Sequence, residues 1–208
     1  MHPNPIFHTA TADANLAFAR TRSFGTLAID GGDGGPLLAH VPFALHADGA
    51  HADLHLVRSN PIARALGTPR PAVIAVSGPD GYVSPDWYGL PDQVPTWNYV
   101  AVHLRGTLTR LGAEEMRAIL DRQSADYEAR LLPKTPWTAD KMTPDALDRL
   151  MRQIVPLRFA LEGVDGTWKL GQNKVAAARL SAATALAESG VGQEVGALAA
   201  LMRSPAQG

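Results

Sequence analysis

The feature of this sequence that most constrains its fold is a series of short β-prone segments joined by glycine-containing turns. Phe24 to Ile29 is apolar and β-prone, and the run GGDGG at 31–35 predicts a hairpin turn after it. A second strand is predicted over Pro36 to Leu45, and Asp48-Gly49 predicts the next turn. Strands that follow one another through hairpin turns favour an antiparallel sheet.

The rest of the chain predicts further strands and then helices. Strands are expected at 51–56, 71–77, 98–108, 155–162 and 167–170, the last two forming a hairpin around Asp165-Gly166. Helices are expected at 13–22, 60–66, 113–131 and 143–152, and from 174 onward with breaks at Gly190 and Gly192; Thr11 or Asp13, Asn60 and Thr143 are the predicted caps. This order predicts a mainly β protein with helices (α+β), a small barrel with helices packed outside. We expect one domain at 1–170 and a helical extension at 171–208 packed on it.

Composition narrows the classes of function. The chain has 208 residues, 46% of them hydrophobic, and no stretch nears the roughly 20 apolar residues that a membrane span needs. The first residues lack a secretion-signal pattern, and the absence of cysteine permits a cytoplasmic location. The net charge is −1 and the pI is near 6.6, so direct DNA binding is doubtful.

Residues 77–100 concentrate aromatic side chains. Five of the chain's eight Trp and Tyr residues lie here, among short polar side chains and four prolines. These aromatic residues are Tyr82, Trp87, Tyr88, Trp97 and Tyr99. Flat apolar surfaces beside short polar groups on a proline-stiffened loop suit a planar, polar ligand. A hydrophobic cluster under a long loop is the structural alternative.

Arg58, Ser59 and Asn60 form a candidate anion site. They lie where a predicted strand passes into a predicted helix whose first residue is Pro61. Free backbone N–H groups at a helix start favour an anion, and a guanidinium fits phosphate oxygens. The alternative is a capped helix beside a solvated arginine.

Two more segments offer polar side chains. Gln172 and Asn173 provide paired donors and acceptors that suit the edge of a heterocycle, although Asn173 could simply cap the next helix. His51, Asp53 and His55 share one face of a predicted strand, with neighbours roughly 6.5–7 Å apart. The outer pair is too far apart to share one ion easily, so no metal site is predicted.

Eight segments in this order resemble the PaiB-like family of FMN-binding negative transcriptional regulators, which is related to the flavin-binding split barrels. They are FGTL at 24–27, AHVPF at 39–43, HLVRSNP at 55–61, SGP at 77–79, YVSP at 82–85, WY at 87–88, PTWNY at 95–99 and KLGQN at 169–173. The resemblance runs from about residue 3 to the C-terminus. Gly171 departs from it, since the family pattern has serine there, and binding is weaker if that hydroxyl contacts the ligand.

The resemblance implies a split β-barrel of the FMN-binding type, a homodimer with FMN at the subunit interface, and a set of cofactor contacts. Arg58, Ser59 and Asn60 would lie by the phosphate. The ring or its pocket would be lined by Tyr82, Ser84, Trp87, Trp97 and Asn98, with Gln172 and Asn173 reaching the same pocket. His40 and His55 complete the candidates, and His40 or His55 would be the candidate iron ligand if the planar ligand were haem.

Three functions therefore compete. The first is an FMN-binding homodimer that affects transcription indirectly, because the charge does not favour autonomous DNA binding. The second is a small FMN-dependent oxidoreductase or flavin reductase of the pyridoxamine-phosphate-oxidase-like type, for which no catalytic residue is identified. The third is a barrel that holds another planar molecule or no cofactor. The resemblance favours the first.

Overall fold

The computed structural model describes residues 1–189 and 191–205, and its secondary structure mixes α and β. The strands are β1 (Phe24–Ile29), β2 (Leu37–Pro42), β3 (Ala44–Leu45), β4 (His51–Val57), β5 (Arg70–Val83), β6 (Thr96–Arg110), β7 (Ile154–Lys169) and β8 (Gly192–Gln193). The α-helices are α1 (Ala12–Arg22), α2 (Pro61–Ala65), α3 (Met116–Ala129), α4 (Pro144–Met151), α5 (Ala176–Ser189) and α6 (Val195–Arg203). None of these helices is long and apolar enough to cross a membrane.

The eight strands form one sheet in the order β2-β1-β5-β6-β7-β4-β3, and β8 pairs with β5. The pairings of β1 with β2 and β5, of β4 with β3 and β7, and of β5 with β8 are antiparallel. The hairpin at GGDGG is confirmed, because Ile29 pairs with Leu37 across it. Gly32 and Gly35 have φ of +71° and +80°, which glycine adopts without the steric cost that a Cβ brings.

Two predicted elements are wrong in their bounds. The expected strand from Pro36 to Leu45 is broken at Phe43, whose N–H donates to Ser23 O at 3.0 Å instead of to a neighbouring strand. The expected loop between the predicted strands at 71–77 and 98–108 is shorter, because β5 continues to Val83 and β6 begins at Thr96.

The predicted hairpin around Asp165-Gly166 is also wrong, since β7 runs through both residues without a turn. Gly166 is buried against helix α1, and a Cβ added there would lie 2.0 Å from Asn15 Oδ1. Asn15 Oδ1 accepts a hydrogen bond from Trp168 Nε1 at 2.8 Å, so it has little freedom to move. The glycine therefore permits a close approach and does not mark a turn.

Helix starts follow the predicted capping pattern in part. Asn60 Oδ1 accepts from the N–H of Ile62 at 2.9 Å, and Thr11 Oγ1 accepts from Ala14 at 3.1 Å, so both caps are confirmed. Thr143 occupies the N-cap position of α4, but its side chain makes no capping bond. The predicted helix at 113–131 divides into a 3₁₀ turn and α3.

The chain forms two compact units, and each of β5, β6 and β7 contributes a segment to both. Unit 1 comprises Met1–Phe18, Ser77–His103 and Val164–Gly208, and unit 2 comprises Ala19–Val76 and Leu104–Gly163. The division at residue 170 made from the sequence stays a prediction.

The core of unit 1 lies between its strands and the C-terminal helices. Ala182 and Leu186 of α5 and Leu198 and Met202 of α6 are fully buried with Tyr88. These two helices therefore supply much of the apolar surface of this core. The expected break at Gly190 lies outside the described residues.

The core of unit 2 is aliphatic and aromatic, and helix α3 lies against it. Leu27, Phe43, Leu54, Ile119 and Phe159 are fully buried. Arg122 and Gln123 of α3 bond to Asp53 of β4, which places a charged and an amide group beside this core.

Candidate functional site

The segment Arg58–Asn60 of unit 2 connects β4 to α2, with Arg58 and Ser59 exposed. Arg58 Nε donates to Arg152 O at 3.1 Å and its Nη2 donates to Ile154 O at 3.2 Å, so the guanidinium is fixed against the start of β7. Helix α2 has only five residues and contributes a weak dipole. Anion binding here therefore depends on the Arg58 charge more than the sequence suggested.

Arg58 lines a pocket of about 350 Å³ in unit 2. Its other lining residues come from the start of α3, from α4 and from the start of β7. They include two further guanidinium groups, of Arg117 and Arg152, against two carboxylates, of Glu114 and Asp148. Met116 and Met151 provide apolar surface. The pocket thus combines a small excess of positive charge with apolar walls, which suits a phosphate on an organic group.

His55 is held in one tautomer by its neighbours in unit 2. Gln123 Nε2 donates to Asp53 O at 3.0 Å, which directs Gln123 Oε1 to His55 Nδ1 at 3.0 Å. His55 Nδ1 therefore carries the proton and Nε2 the lone pair. Burial lowers the pKa of His55 although the bond to Gln123 opposes that shift, so the ring is neutral at pH 7.

His40 lies on the exposed side of β2 in the same unit. Its Nδ1 is 3.2 Å from Thr26 Oγ1, and its ring stacks on Phe24 with centroids 6.5 Å apart. Phe24 is 55% exposed. His40 and His55 thus have different hydrogen-bond partners in unit 2.

Unit 1 brings two of the predicted ring contacts together. Tyr82 of β5 and Trp97 of β6 meet edge to face with centroids 6.5 Å apart, and Trp97 is 47% exposed. Trp87 is partly buried against the core of unit 1. Ser84 is partly buried at the start of a 3₁₀ turn, and its side chain makes no capping bond. Trp97 consequently offers the open aromatic face in this group.

Two of the three amide side chains that are predicted to contact the cofactor ring or its pocket already have partners within unit 1. Gln172 Oε1 accepts from the N–H of Leu170 at 2.8 Å, while its Nε2 donates to Trp168 O at 2.5 Å. Asn98 is buried and its Nδ2 lies 3.5 Å from Met202 Sδ. Asn173 is exposed. Gln172 therefore shapes the connection after β7, and only Asn173 presents a freely accessible amide.

Lys169 is a further candidate cofactor-binding residue, which the sequence did not predict. Its Nζ donates to Thr96 Oγ1, and it lies 6.0 Å from the centroid of the Phe7 ring. Burial, and then the charge of Lys174, lower the pKa of Lys169. In the sequence, Lys169 and Lys174 lie on either side of GQN at 171–173. The hydrogen bond from Lys169 to Thr96 joins β6 to β7, and the spacing of residues along the chain does not reveal it.

Gly171 has a left-handed backbone, with φ of +78°, but a Cβ added there would make only ordinary contacts of 3.5 Å or more, with Arg179 and Asn98. Gly171→Ala is therefore expected to lower the free energy of unfolding by about 1 kcal/mol, because alanine adopts this backbone conformation less readily than glycine. Urea unfolding measures it. Gly163→Ala, where a Cβ meets nothing within 4 Å and φ is ordinary, is the matched control and is expected to be neutral. Equal stabilities of the two variants would contradict the assignment of strain at 171.

A family model described as "Putative FMN-binding domain" matches residues 1–163, and the chain belongs to this family. FMN is the cofactor that defines the family, and the predicted resemblance is confirmed. The chain is 29% identical over 176 residues to the "Protease synthase and sporulation protein PAI 2" of Bacillus subtilis, with 84% of this chain and 83% of that protein covered.

Two solved structures share the fold. An FAD and heme binding protein from Mycobacterium smegmatis has 18% sequence identity and a TM-score of 0.59, covering 90% of this chain and 82% of its own. The flavocytochrome Anf3 from Azotobacter vinelandii has 14% identity and a TM-score of 0.53, covering 81% and 72%. The predicted fold class, an α+β split barrel of the flavin-binding type, is confirmed by these likenesses and the family match.

Proposed function

We propose that this protein is a cytoplasmic FMN-binding homodimer with a regulatory role. The family match over residues 1–163 carries the proposal, because it includes the exposed Arg58–Asn60 segment and the aromatic residues of β5 and β6. A regulatory role is supported by the relative from Bacillus subtilis, whose name includes the words protease synthase and sporulation. The net charge of −1 favours an indirect effect on transcription over autonomous DNA binding.

The side chains present fit the parts of FMN. In unit 2, the guanidinium of Arg58 and the hydroxyl of Ser59 are the groups that bind a phosphate dianion, and Asn60 fixes the backbone beside them through its cap. In unit 1, the exposed face of Trp97 is suited to contact an isoalloxazine ring. When bound, FMN supplies redox chemistry of its own.

An FMN titration of the dialysed protein, followed by quenching of flavin fluorescence, tests the proposal. Saturable binding at one FMN per chain with micromolar or tighter affinity is expected, and absence of binding would overturn it. Light scattering after size exclusion tests the dimer. Reduction of the bound flavin by NAD(P)H with turnover would move the assignment from a regulator to the oxidoreductase class.

Trp97→Ala is expected to weaken binding of FMN and of riboflavin alike, by about 1–2 kcal/mol, because the aromatic ring contacts the part that both ligands share. Val94→Ala is the matched control, since Val94 is 72% exposed in the same connection between β5 and β6. Titrations with both flavins measure the change. Equal affinities of the two variants would remove Trp97 from the site.

A further inference from the structure

The turn between β3 and β4 brings together two imidazoles and a carboxylate. One ligand atom each of His46, Asp48 and His51 lies within 4.8 Å of the other two. The turn itself is closed by backbone hydrogen bonds, from His46 N to His51 O and from Gly49 N to His46 O, both 2.9 Å. The three side chains are therefore held near one another by a hairpin and not by chance proximity of mobile loops.

His46 has the hydrogen bond that a metal-binding histidine typically makes with its other nitrogen. Its Nε2 lies 2.8 Å from Oδ2 of Asp53, a carboxylate with no exposed surface. Asp53 is in turn held by Arg158 Nε at 2.9 Å and by Arg122 Nη2 at 2.5 Å. With Nε2 donating to this fixed anion, the lone pair of His46 lies on Nδ1.

His51 and Asp48 each direct a potential metal-ligand atom toward the other. His51 Nδ1 is buried and has no hydrogen-bond partner, although the side chain as a whole is 40% exposed. It lies 3.8 Å from Asp48 Oδ2, while Asp48 Oδ1 accepts from the N–H of Ala50 at 2.9 Å. A separation of 3.8 Å is too long for a hydrogen bond, but it is close to the roughly 3.4 Å between two tetrahedral ligands of one Zn²⁺ with bonds near 2.1 Å.

We propose that His46, Asp48 and His51 bind a divalent first-row transition metal, with Zn²⁺ as the representative ion. The ligands are His46 Nδ1, Asp48 Oδ2 and His51 Nδ1, and the remaining positions are open to water. Two imidazoles and one carboxylate favour such an ion over Mg²⁺ or Ca²⁺, which prefer all-oxygen sites. Arg20 Nη2 donates to His46 O at 2.9 Å, and this nearby positive charge limits the affinity.

The site differs from the row of His51, Asp53 and His55 that the sequence brought to attention. Asp53 is hydrogen-bonded to Arg122, Arg158 and His46. It therefore orients His46, which is a metal ligand in this proposal, and does not itself bind the metal. His55 bonds to Gln123. The ligand set comes from the turn, since His46 directly follows β3 and His51 is the first residue of β4.

Calorimetric titration of Zn²⁺ into the chelator-treated full-length protein tests the proposal, with Mg²⁺ as the comparison ion. One Zn²⁺ per chain is expected, with an affinity at least roughly tenfold lower in His51→Ala and in Asp48→Asn. Asp48→Asn removes the charge while keeping the Oδ1 bond to Ala50. His8→Ala, an exposed histidine in unit 1, is the matched control and is expected to bind Zn²⁺ as the unmodified protein does.

Co²⁺ absorption gives a second readout that does not depend on the fold of a variant. Visible d–d bands that saturate at one Co²⁺ per chain and are displaced by Zn²⁺ support the site. Absence of binding by either ion overturns the proposal, as does binding that survives both His51→Ala and Asp48→Asn. Because neither experiment uses flavin, its failure leaves the FMN assignment untouched.

Discussion

Asp53→Asn is expected to lower the free energy of unfolding by about 3 kcal/mol, because it removes the charge at the centre of a buried ion-pair network. Asp53 has no exposed surface and accepts hydrogen bonds from Arg158 and Arg122. An amide in its place is neutral, and its NH₂ group faces N–H donors. Arg158 is 32% exposed and Arg122 is 44% exposed, so water recovers part of their solvation and the loss falls at the low end for a broken buried pair.

Urea unfolding at neutral pH measures this change, and Asp121→Asn is the matched control. Asp121 bonds to Arg117 at 2.8 Å on the surface of α3, with both side chains nearly half exposed. Exposed pairs four residues apart on a helix contribute about 0.5 kcal/mol or less. A loss in Asp53→Asn no larger than that in Asp121→Asn would show that the network does not stabilise the fold.

The pH dependence of the stability of Asp53→Asn distinguishes the loss of the charge from a change in packing. Burial on its own would raise the pKa of Asp53, but hydrogen bonds from Arg158, His46 and Arg122 outweigh it and lower the pKa from 3.8 to about 2. A carboxylate with a depressed pKa stabilises the fold above its unfolded-state pKa and stops doing so as the pH falls through its folded-state pKa. The stability difference between the original protein and Asp53→Asn should therefore hold above about pH 4 and shrink toward pH 2. A constant difference would assign the effect to packing.

Local sequence signals predicted most of the secondary-structure elements. They did not predict where segments that are distant in sequence approach each other closely. The glycine run at 31–35 gave a hairpin because turn geometry is local. Asp165-Gly166 has the local pattern of a turn, and the close partner of Gly166, Asn15, is distant in sequence. Strand β5 continues past Pro79 to Val83 and pairs there with β8 through Asp80 and Gly81, a pairing that no local rule indicates.

The candidate site shows the same division between local and distant contacts. The Asn60 cap and the exposure of Arg58 follow from neighbouring residues, and both were predictable. The bond from Lys169 to Thr96 and the ion pairs of Asp53 join separate elements. His51, Asp53 and His55 share a strand, yet each has a different set of partners, since cross-strand and helix contacts decide what each side chain does.

Arg58→Ala is expected to weaken FMN binding by about 1.5–3 kcal/mol, a factor of roughly 10 to 150, because a charged hydrogen-bond partner of the phosphate is lost. Riboflavin lacks the phosphate, so its affinity should be the same in the variant and the original protein. Fluorescence titrations with both flavins measure the two ratios. The selective loss of FMN over riboflavin identifies a phosphate contact, whereas Trp97→Ala is expected to affect both ligands.

Arg64→Ala is the matched control for charge, since Arg64 is exposed on α2 six residues from Arg58 and is expected to leave FMN affinity unchanged. Arg58 also donates to the carbonyls of Arg152 and Ile154, so its removal has a structural effect that urea unfolding must measure. If a folded Arg58→Ala variant binds FMN as tightly as the original, Arg58 is not the phosphate ligand. If it loses FMN and riboflavin equally, the arginine acts by holding β4 against β7, and the phosphate contact must be sought among the other cations of the same pocket, Arg117 and Arg152.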